Sequence, residues 1–255
     1  MTTTKHLSKH TLPEDVSQAI IEMKAQWRAS IGDVPALMAQ IVSELEKDIQ
    51  DIEATQKAGK SAWPEVSYHD IANEVVSADT MALIKRRGCV VVREHFPSEQ
   101  AKQWDRELVE YVERNDFDNQ YRGPGDDFFG TLSASRPEIF PIYWSKPQME
   151  ARQSERMHHV QCFLNSFWKV ESEGKQWFDP NINYIYPDRV RRRPPGTTSN
   201  GLGPHTDSGA LERWLLPAYQ KVFRHILSGD FHRYDPWDAA YRPDVDEYVR
   251  GTNKC

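Results

Sequence analysis

Two side chains in the C-terminal third of the sequence have the spacing of metal ligands. His205 and Asp207 are separated by one residue, and on an extended strand such side chains point to the same side. An imidazole and a carboxylate placed in this way can supply two of the three ligands in the two-histidine-one-carboxylate triad of non-haem Fe(II) oxygenases. Glycine and proline residues flank the pair and let the backbone pass close to a bound group. The alternative is a polar turn with a hydrogen-bonded histidine, since short motifs recur by chance.

Four arginines precede this pair, namely Arg189, Arg191, Arg192 and Arg193. A charge run of this kind is usually a solvated or salt-bridged surface. The other interpretation is recognition of a carboxylate, for which the rigid guanidinium fork is suited. A dicarboxylate co-substrate beside iron would need such a partner.

Composition limits the class of protein. The chain has 255 residues, of which 38% are hydrophobic and 27% charged, with a formal net charge of −6. These values predict a folded, soluble protein and disfavour a general binder of nucleic acid or anionic membrane. Cys89, Cys162 and Cys255 form no paired motif, which favours reduced thiols and a cytoplasmic location. No apolar run is long enough for a membrane span, and the N-terminus lacks a signal peptide.

The first part of the chain predicts two helices. Pro13-Glu14-Asp15 opens the first, and its apolar residues recur at helical spacing. Asp33 is placed to cap the second helix, which continues towards Gly59. We predict that these helices form an antiparallel hairpin over residues 1–62, packed on the main body over residues 63–255. The apolar positions on which the two helices depend are Val16, Ile20, Met23 and Trp27, then Leu37, Ile41, Leu45, Ile49 and Ile52.

The main body begins with a mixed pattern. We predict a helix over 77–87, a cap at Gly88, a Val-rich buried strand over 89–92, and a further helix from Pro97-Ser98. Residues 115–145 read as a long loop rich in aromatic side chains. Residues 146–168 predict one helix, whose adjacent His158 and His159 face different directions and are expected to be surface or hydrogen-bonded residues. Alternation predicts a strand over 182–190, and apolar spacing predicts a helix over 211–227.

A specific resemblance rests on several runs of sequence. Arg193-Pro194-Pro195-Gly196 followed by the His205-x-Asp207 segment is similar to the YbiU-like family, as are Leu211-Glu212-Arg213-Trp214, Tyr219-Gln220-Lys221-Val222-Phe223 and Tyr234-Asp235-Pro236-Trp237-Asp238. A more distant likeness is to the phytanoyl-CoA hydroxylase group. The resemblance implies an α+β protein whose main body is a double-stranded β-helix, or jelly roll, with helices packed on it. It also implies Fe(II) and the co-substrate 2-oxoglutarate.

Site residues follow from that resemblance. His205 and Asp207 are expected to bind the metal, and Arg193 to hold the 2-oxoglutarate carboxylate. Tyr184 or Tyr186 would hydrogen-bond in the pocket, although core packing is the competing role. The third ligand would be a later histidine on a strand, and neither His225 nor His232 meets that description. We therefore expect an incomplete β-helix, a chain truncated at its C-terminus, and no oxygenase turnover by this polypeptide alone.

Two other functions remain open from the sequence. The same barrel can serve as a non-catalytic binding or structural module, or as a cupin-type metal enzyme that does not use 2-oxoglutarate. For the oxygenase, the expected partner is a small-molecule substrate, with neither nucleic acid nor membrane involved. Four aromatic side chains are candidates to line its entrance, namely Phe128, Phe129, Tyr143 and Trp144.

Overall fold

The computed structural model describes residues 13–120, 139–185, 187–191 and 214–241. Most of this part of the chain is helical, with short strands between the helices. The helices are α1 (Val16–Ile31), α2 (Val34–Lys57), α3 (Tyr68–Ala72), α4 (Ala78–Arg87), α5 (Ser98–Arg114), α6 (Phe117–Gln120), α7 (Lys146–Arg152), α8 (Glu155–Asn165), α9 (Pro217–Val222) and α10 (Arg224–Leu227). The strands are β1 (Glu65–Ser67), β2 (Val91–Arg93), β3 (Ile139–Phe140), β4 (Glu171–Ser172), β5 (Lys175–Gln176) and β6 (Val190–Arg191).

Side-chain caps define where the early helices begin, as the sequence predicts. The Asp15 carboxylate accepts a hydrogen bond from the Gln18 N–H, and Asp33 caps α2 in the same way at 2.9 Å. Ser77 caps α4 through its hydroxyl oxygen. Gly88 then ends α4 in the left-handed conformation at φ 68°, where a residue with a Cβ is strained. Each device satisfies backbone groups that a helix terminus leaves without an intrahelical partner.

The apolar stripe that the sequence predicts along α2 divides between two sides of the helix. Leu37 is buried, and Ile41 and Ile52 are half-buried. Leu45 and Ile49 are 55% and 52% exposed, so these two members of the predicted apolar stripe lie outside the core. Counting apolar spacing alone cannot show which apolar side of a helix is covered.

The two N-terminal helices contact different parts of the main body. On α1, the Trp27 ring meets the Trp214 ring edge-on with centroids 5.6 Å apart. On α2, Asp48 accepts two hydrogen bonds from Arg86 of α4, at 2.7 and 2.9 Å. Arg87, whose side chain is 5% exposed, pairs with Asp51. Both helices therefore contact later parts of the chain, while the predicted division into a hairpin over residues 1–62 and a main body stays a prediction.

The described strands form three two-stranded sheets. β1 and β2 pair in parallel with Val66 opposite Val92, and β4 and β5 form a small antiparallel hairpin. β3 and β6 pair antiparallel with Phe140 opposite Val190. The larger buried cluster surrounds β1 and comprises Val66, Tyr68, Ile71, Ile84, Val160 and Phe167. A double-stranded β-helix stays a prediction, since the described strands pair only two by two and the metal-ligand motif lies outside the described residues.

Several predicted elements differ from the observed ones. The segment 115–145, predicted as a loop, contains α6 and β3. The helix over 146–168 is two helices, because Ser154 caps the start of α8 just after α7 ends. The strand predicted over 182–190 was wrong for most of its length, because the described part of it pairs as a strand only at β6. The helix over 211–227 is broken within its described residues, since α9 starts at Pro217 and Phe223 separates it from α10.

The run Tyr234-Asp235-Pro236-Trp237-Asp238, which carries part of the resemblance, has a structural role. Asp238 is 6% exposed and accepts hydrogen bonds from the Ser172 hydroxyl at 2.6 Å, the Ala240 N–H at 2.9 Å and the Lys169 ammonium at 3.0 Å. Burial alone raises the pKa of the Asp238 carboxyl, but these three donors outweigh it and leave the pKa below its ordinary value. The carboxylate thus ties this segment to the β4–β5 hairpin.

Among the described residues, no helix combines the length and the apolar character that crossing a bilayer requires.

Candidate functional site

The predicted metal ligands follow β6 closely in sequence. His205, Asp207 and Arg193 lie outside the described residues, as does Tyr186. Tyr184 is described, and it is 91% exposed. Its predicted contact with a co-substrate stays a prediction. The described contacts near the site are therefore those that hold strand β6 in place. β6 ends two residues before Arg193.

β6 is held in place by an apolar contact and by pairing with β3. Val190 is 8% exposed and Phe140 is 7% exposed, and they share a cluster with Ile142. Leu108, Val112 and Phe117 of the neighbouring helices pack against this cluster. Because strand side chains alternate, burying Val190 determines the direction in which the next residues of β6 point.

A buried amide connects α7 to the chain just before β6. Gln148 is 7% exposed, and its Nε2 donates to the Ile142 carbonyl and to the Asp188 carbonyl, both at 2.9 Å. Its Oε1 accepts from the Ser145 N–H at 3.1 Å and from the Ser145 hydroxyl at 2.8 Å. One side chain thus completes the capping box of α7 and fixes two distant backbone segments. All the polar capacity of this amide is used, as burial requires.

An arginine adds a second connection to the same point. The Nε of Arg152 donates to the Asp188 carboxylate at 2.6 Å, and its Nη1 donates to the Tyr143 carbonyl at 2.6 Å. Nη2 donates to the Asp188 carbonyl at 3.2 Å. The Arg152 side chain is 9% exposed, and it pairs with the 60% exposed Asp188 side chain. We call Gln148, Arg152 and Asp188 the β6 clamp. Its planar, charge-assisted bonds give β6 a defined orientation.

A cleft of about 690 Å³ adjoins the clamp. Its walls come from α5, α6 and the segment between β3 and α7, and Ile142 and Tyr143 belong both to this wall and to the clamp contacts. The Arg152 guanidinium lies 5.4 Å from the centre of the Trp144 ring. The lining residues include Glu107, Tyr111, Arg114, Phe117, Trp144 and Lys146. Tyr143 and Trp144 line this cleft, and their predicted place at a substrate entrance stays a prediction. Phe128 and Phe129 lie outside the described residues.

The histidines of α8 have structural partners, which confirms the prediction that they are surface or hydrogen-bonded residues. His159 Nδ1 is 2.9 Å from the Tyr68 hydroxyl. His158 is exposed, with its Nδ1 2.9 Å from the Asn183 amide nitrogen and its ring beside the Cys162 Sγ. Within the described ranges, no group of three His, Cys, Asp or Glu side chains is arranged to hold a metal ion.

The two histidines that follow the motif are not on strands, as predicted. His225 is in α10, and its Nε2 is 3.0 Å from the Tyr241 hydroxyl. His232 is in a short 3₁₀ helix, Phe231–Arg233, and is exposed. Neither has the setting expected of a third ligand.

Among the histidines that the structure describes, His95 is the one with a perturbed pKa. Its ring stacks on Phe96 with centroids 4.2 Å apart, and its Nε2 is buried without a described hydrogen-bond partner. Burial lowers the pKa of His95 below its ordinary value; a backbone hydrogen bond at Arg156 opposes this, and the Arg156 charge adds to it. His95 is therefore neutral at pH 7.

Comparison with known proteins decides the family. A model described as Gig2-like matches residues 14–255. The chain belongs to the Gig2-like family. A family relative, the Escherichia coli K12 protein YbiU, is 56% identical over 246 residues, which is 96% of this chain and 58% of that protein. The predicted YbiU-like resemblance is thereby confirmed.

Solved structures of Gig2-like relatives agree with this assignment. A protein from Salmonella typhimurium LT2, named as a proposed oxidoreductase, is 54% identical with a TM-score of 0.84, covering 91% of this chain and 56% of its own. The Candida albicans protein GlcNAc Inducible Gene 2 matches at a TM-score of 0.60 and 23% identity, covering 88% of this chain and 43% of its own, and shows a shared fold. The chain thus spans little more than half the length of its bacterial relatives.

The sequence pointed to the ligand motif but missed the β6 clamp. The capping box from Ser145 to Gln148 was a visible signal for the start of a helix. Nothing in the sequence shows that the same glutamine reaches Asp188, 40 residues away.

Proposed function

We propose that this chain carries the metal-binding strand of a non-haem Fe(II)/2-oxoglutarate-dependent oxygenase that acts on a small molecule. The observation that carries the proposal is the pair His205 and Asp207, which follows Arg193-Pro194-Pro195 and the clamped strand β6. The name of the Salmonella relative is consistent with oxidation chemistry. The proposed main body is a double-stranded β-helix to which β3 and β6 belong.

The donor set fits two positions of a facial iron site. A neutral imidazole and a carboxylate are suitable ligands for Fe(II), and one more histidine would complete the triad. His225 and His232, the described histidines that follow the motif, lie on helices and not on a strand. We propose that the third ligand comes from the part of the family fold that lies beyond the matched half of the relatives. With two protein ligands, the metal is held more weakly and less selectively than in a complete site.

The site residues of this chain have different tasks in the proposed site. His205 and Asp207 bind the metal, and Arg193 offers a guanidinium fork to the 2-oxoglutarate carboxylate. The β6 clamp positions the strand that leads to them. When bound, iron and 2-oxoglutarate would activate dioxygen. One oxygen atom would enter the substrate C–H bond and the other would enter succinate, with release of carbon dioxide.

The cleft beside the clamp is the proposed place for the organic substrate. Its volume of about 690 Å³ is suited to a small molecule. The Tyr143 and Trp144 rings offer apolar surface. Arg114 and Lys146 in the lining carry positive charge, and Glu107 and Glu110 carry negative charge. Because the cleft and the clamp share Ile142 and Tyr143, a substrate there would lie beside the start of β6.

The test is the coupling between metal and co-substrate. An anaerobic Fe(II) titration should show that 2-oxoglutarate tightens Fe(II) binding, because both bind the same centre. Arg193→Ala should remove this coupling, whereas Arg189→Ala, an exposed arginine of the same run, should retain it. Succinate release by this chain alone should stay at background. Equal coupling in both variants would refute the role of Arg193.

The same titration separates the two other functions. A non-catalytic module would bind no Fe(II) at His205 and Asp207. A cupin-type enzyme would bind metal, but 2-oxoglutarate would leave the metal affinity unchanged. Either result would refute the oxygenase assignment.

A further inference from the structure

Helix α2 carries a second apolar side that faces solvent. Its residues recur at steps of four, three and four, which keeps them on one side of a helix. Helical geometry places this side about 100° around the helix from buried Leu37. The members are Met38 at 51%, Val42 at 46%, Leu45 at 55% and Ile49 at 52% exposure. We call these four residues the α2 stripe.

The stripe is long enough to be an interface. From Met38 to Ile49 it extends about 17 Å along the helix axis. Scattered exposed apolar residues are ordinary on a protein surface, but a continuous row marks a contact site. The spacing is that of the contact seam of a coiled coil, in which apolar residues alternate at steps of three and four.

The spacing of the α2 stripe is the same when it is read in reverse. Two copies that lie antiparallel therefore place Met38 opposite Ile49 and Val42 opposite Leu45. Such self-complementarity is what a two-fold dimer interface requires, since the same patch is used on both copies.

Charge along α2 favours the antiparallel arrangement. Residues 34–43 carry no charge, whereas residues 44–57 carry five carboxylates and two lysines, a formal net charge of −3. An antiparallel pair sets the acidic half of one helix beside the uncharged half of the other, near its positive N-terminus. A parallel pair would instead bring like charges together, which is unfavourable.

We propose that the α2 stripe binds the same stripe of a second copy of this chain in an antiparallel, two-fold contact. At about half exposure, the four side chains of both copies together bury roughly 750 Å², and flanking residues would bring the total to about 1,200 Å². That is the lower end for a stable interface, so the dimer should be weak, with a Kd of about 1–100 μM.

The direct test is molar mass as a function of concentration. Light scattering or sedimentation should give 29.6 kDa when dilute and rise towards twice that mass at about 200 μM. Leu45→Lys should weaken dimerisation at least tenfold. Gln40→Lys, which changes an exposed residue on the opposite side of α2, should not. A single-chain mass at every concentration, or equal dimerisation by both variants, would overturn the proposal.

Cross-linking tests the orientation. An equimolar mixture of Met38→Cys and Ile49→Cys chains should form an intermolecular disulfide above the background of the wild-type cysteines. Neither variant alone should do so, because like positions are about 16 Å apart in the antiparallel pair. Cross-linking of Met38→Cys with itself would contradict the antiparallel register.

Discussion

Replacing Gln148 by alanine tests the β6 clamp. The change removes two donated hydrogen bonds of 2.9 Å, to the Ile142 and Asp188 carbonyls, and leaves the Ile142 carbonyl without that donor in a buried position. It also removes the acceptor for Ser145 in the capping box of α7. With about 1 kcal/mol for each lost bond and a further cost for unpaired buried groups, we expect a loss of about 2–4 kcal/mol in the free energy of unfolding.

The assay is urea denaturation at pH 7, combined with hydrogen exchange at the backbone amides of Val190 and Arg191. Gln153→Ala is the control, because Gln153 is an exposed glutamine just after α7. The clamp predicts faster exchange at β6 in Gln148→Ala and unchanged exchange in Gln153→Ala. If the two variants agree within about 0.5 kcal/mol, the usual scale of surface substitutions, the clamp does not hold β6.

A second substitution separates the clamp from the helix cap. Gln148→Glu keeps an oxygen that can accept from Ser145, so the capping box survives. It replaces the donor by an acceptor that faces two carbonyls, with the Asp188 carboxylate 3.4 Å from the same atom. We therefore expect Gln148→Glu to destabilise the protein at least as much as Gln148→Ala. A wild-type stability for Gln148→Glu would show that the cap, and not the clamp, is what Gln148 contributes.

Two further predictions concern the dependence of stability on pH. Because the folded-state pKa of Asp238 is lowered, its carboxylate contributes stability above the ordinary value of 3.8, and this is lost as the pH falls through the folded pKa. Asp238→Asn should therefore lower stability at pH 7 and flatten the acid limb of the denaturation profile; an unchanged acid limb would contradict this. The pKa of His95 is also lowered, so the unfolded chain takes up more protons below pH 6.5 and stability falls there. His95→Asn should reduce the loss of thermal stability between pH 7 and about 5.5, whereas the control His232→Asn, at an exposed histidine, should not. An equal dependence of thermal stability on pH in the two variants would refute the role of His95.

Local signals in the sequence were sufficient for several helices. Asp15, Asp33 and Ser77 are capping residues followed by apolar spacing, and the helices begin where these residues predict. Gly88 marks the end of α4 because a left-handed residue is required there. These features depend on neighbours in the chain, so a single sequence contains them.

Features that depend on distant contacts were not predictable in the same way. The alternation around Tyr184 resembles a strand, but strand formation needs a partner, and the described pairing reaches only Val190 and Arg191. The buried side of α2 depends on which surface α4 covers through Arg86 and Arg87. The same holds for the candidate site, where the motif at His205 was visible and the bonds that Gln148 makes were not.

The most direct measurement of the central claim is the affinity of the chain for Fe(II) under anaerobic conditions, compared among three variants. His205→Ala and Asp207→Ala should each reduce Fe(II) binding by at least tenfold, because each removes one of two proposed protein ligands. His232→Ala, which changes an exposed histidine on a 3₁₀ helix, should bind Fe(II) as the wild type does. Wild-type Fe(II) affinity in His205→Ala, or a loss in His232→Ala equal to that in His205→Ala, would contradict the proposed metal site.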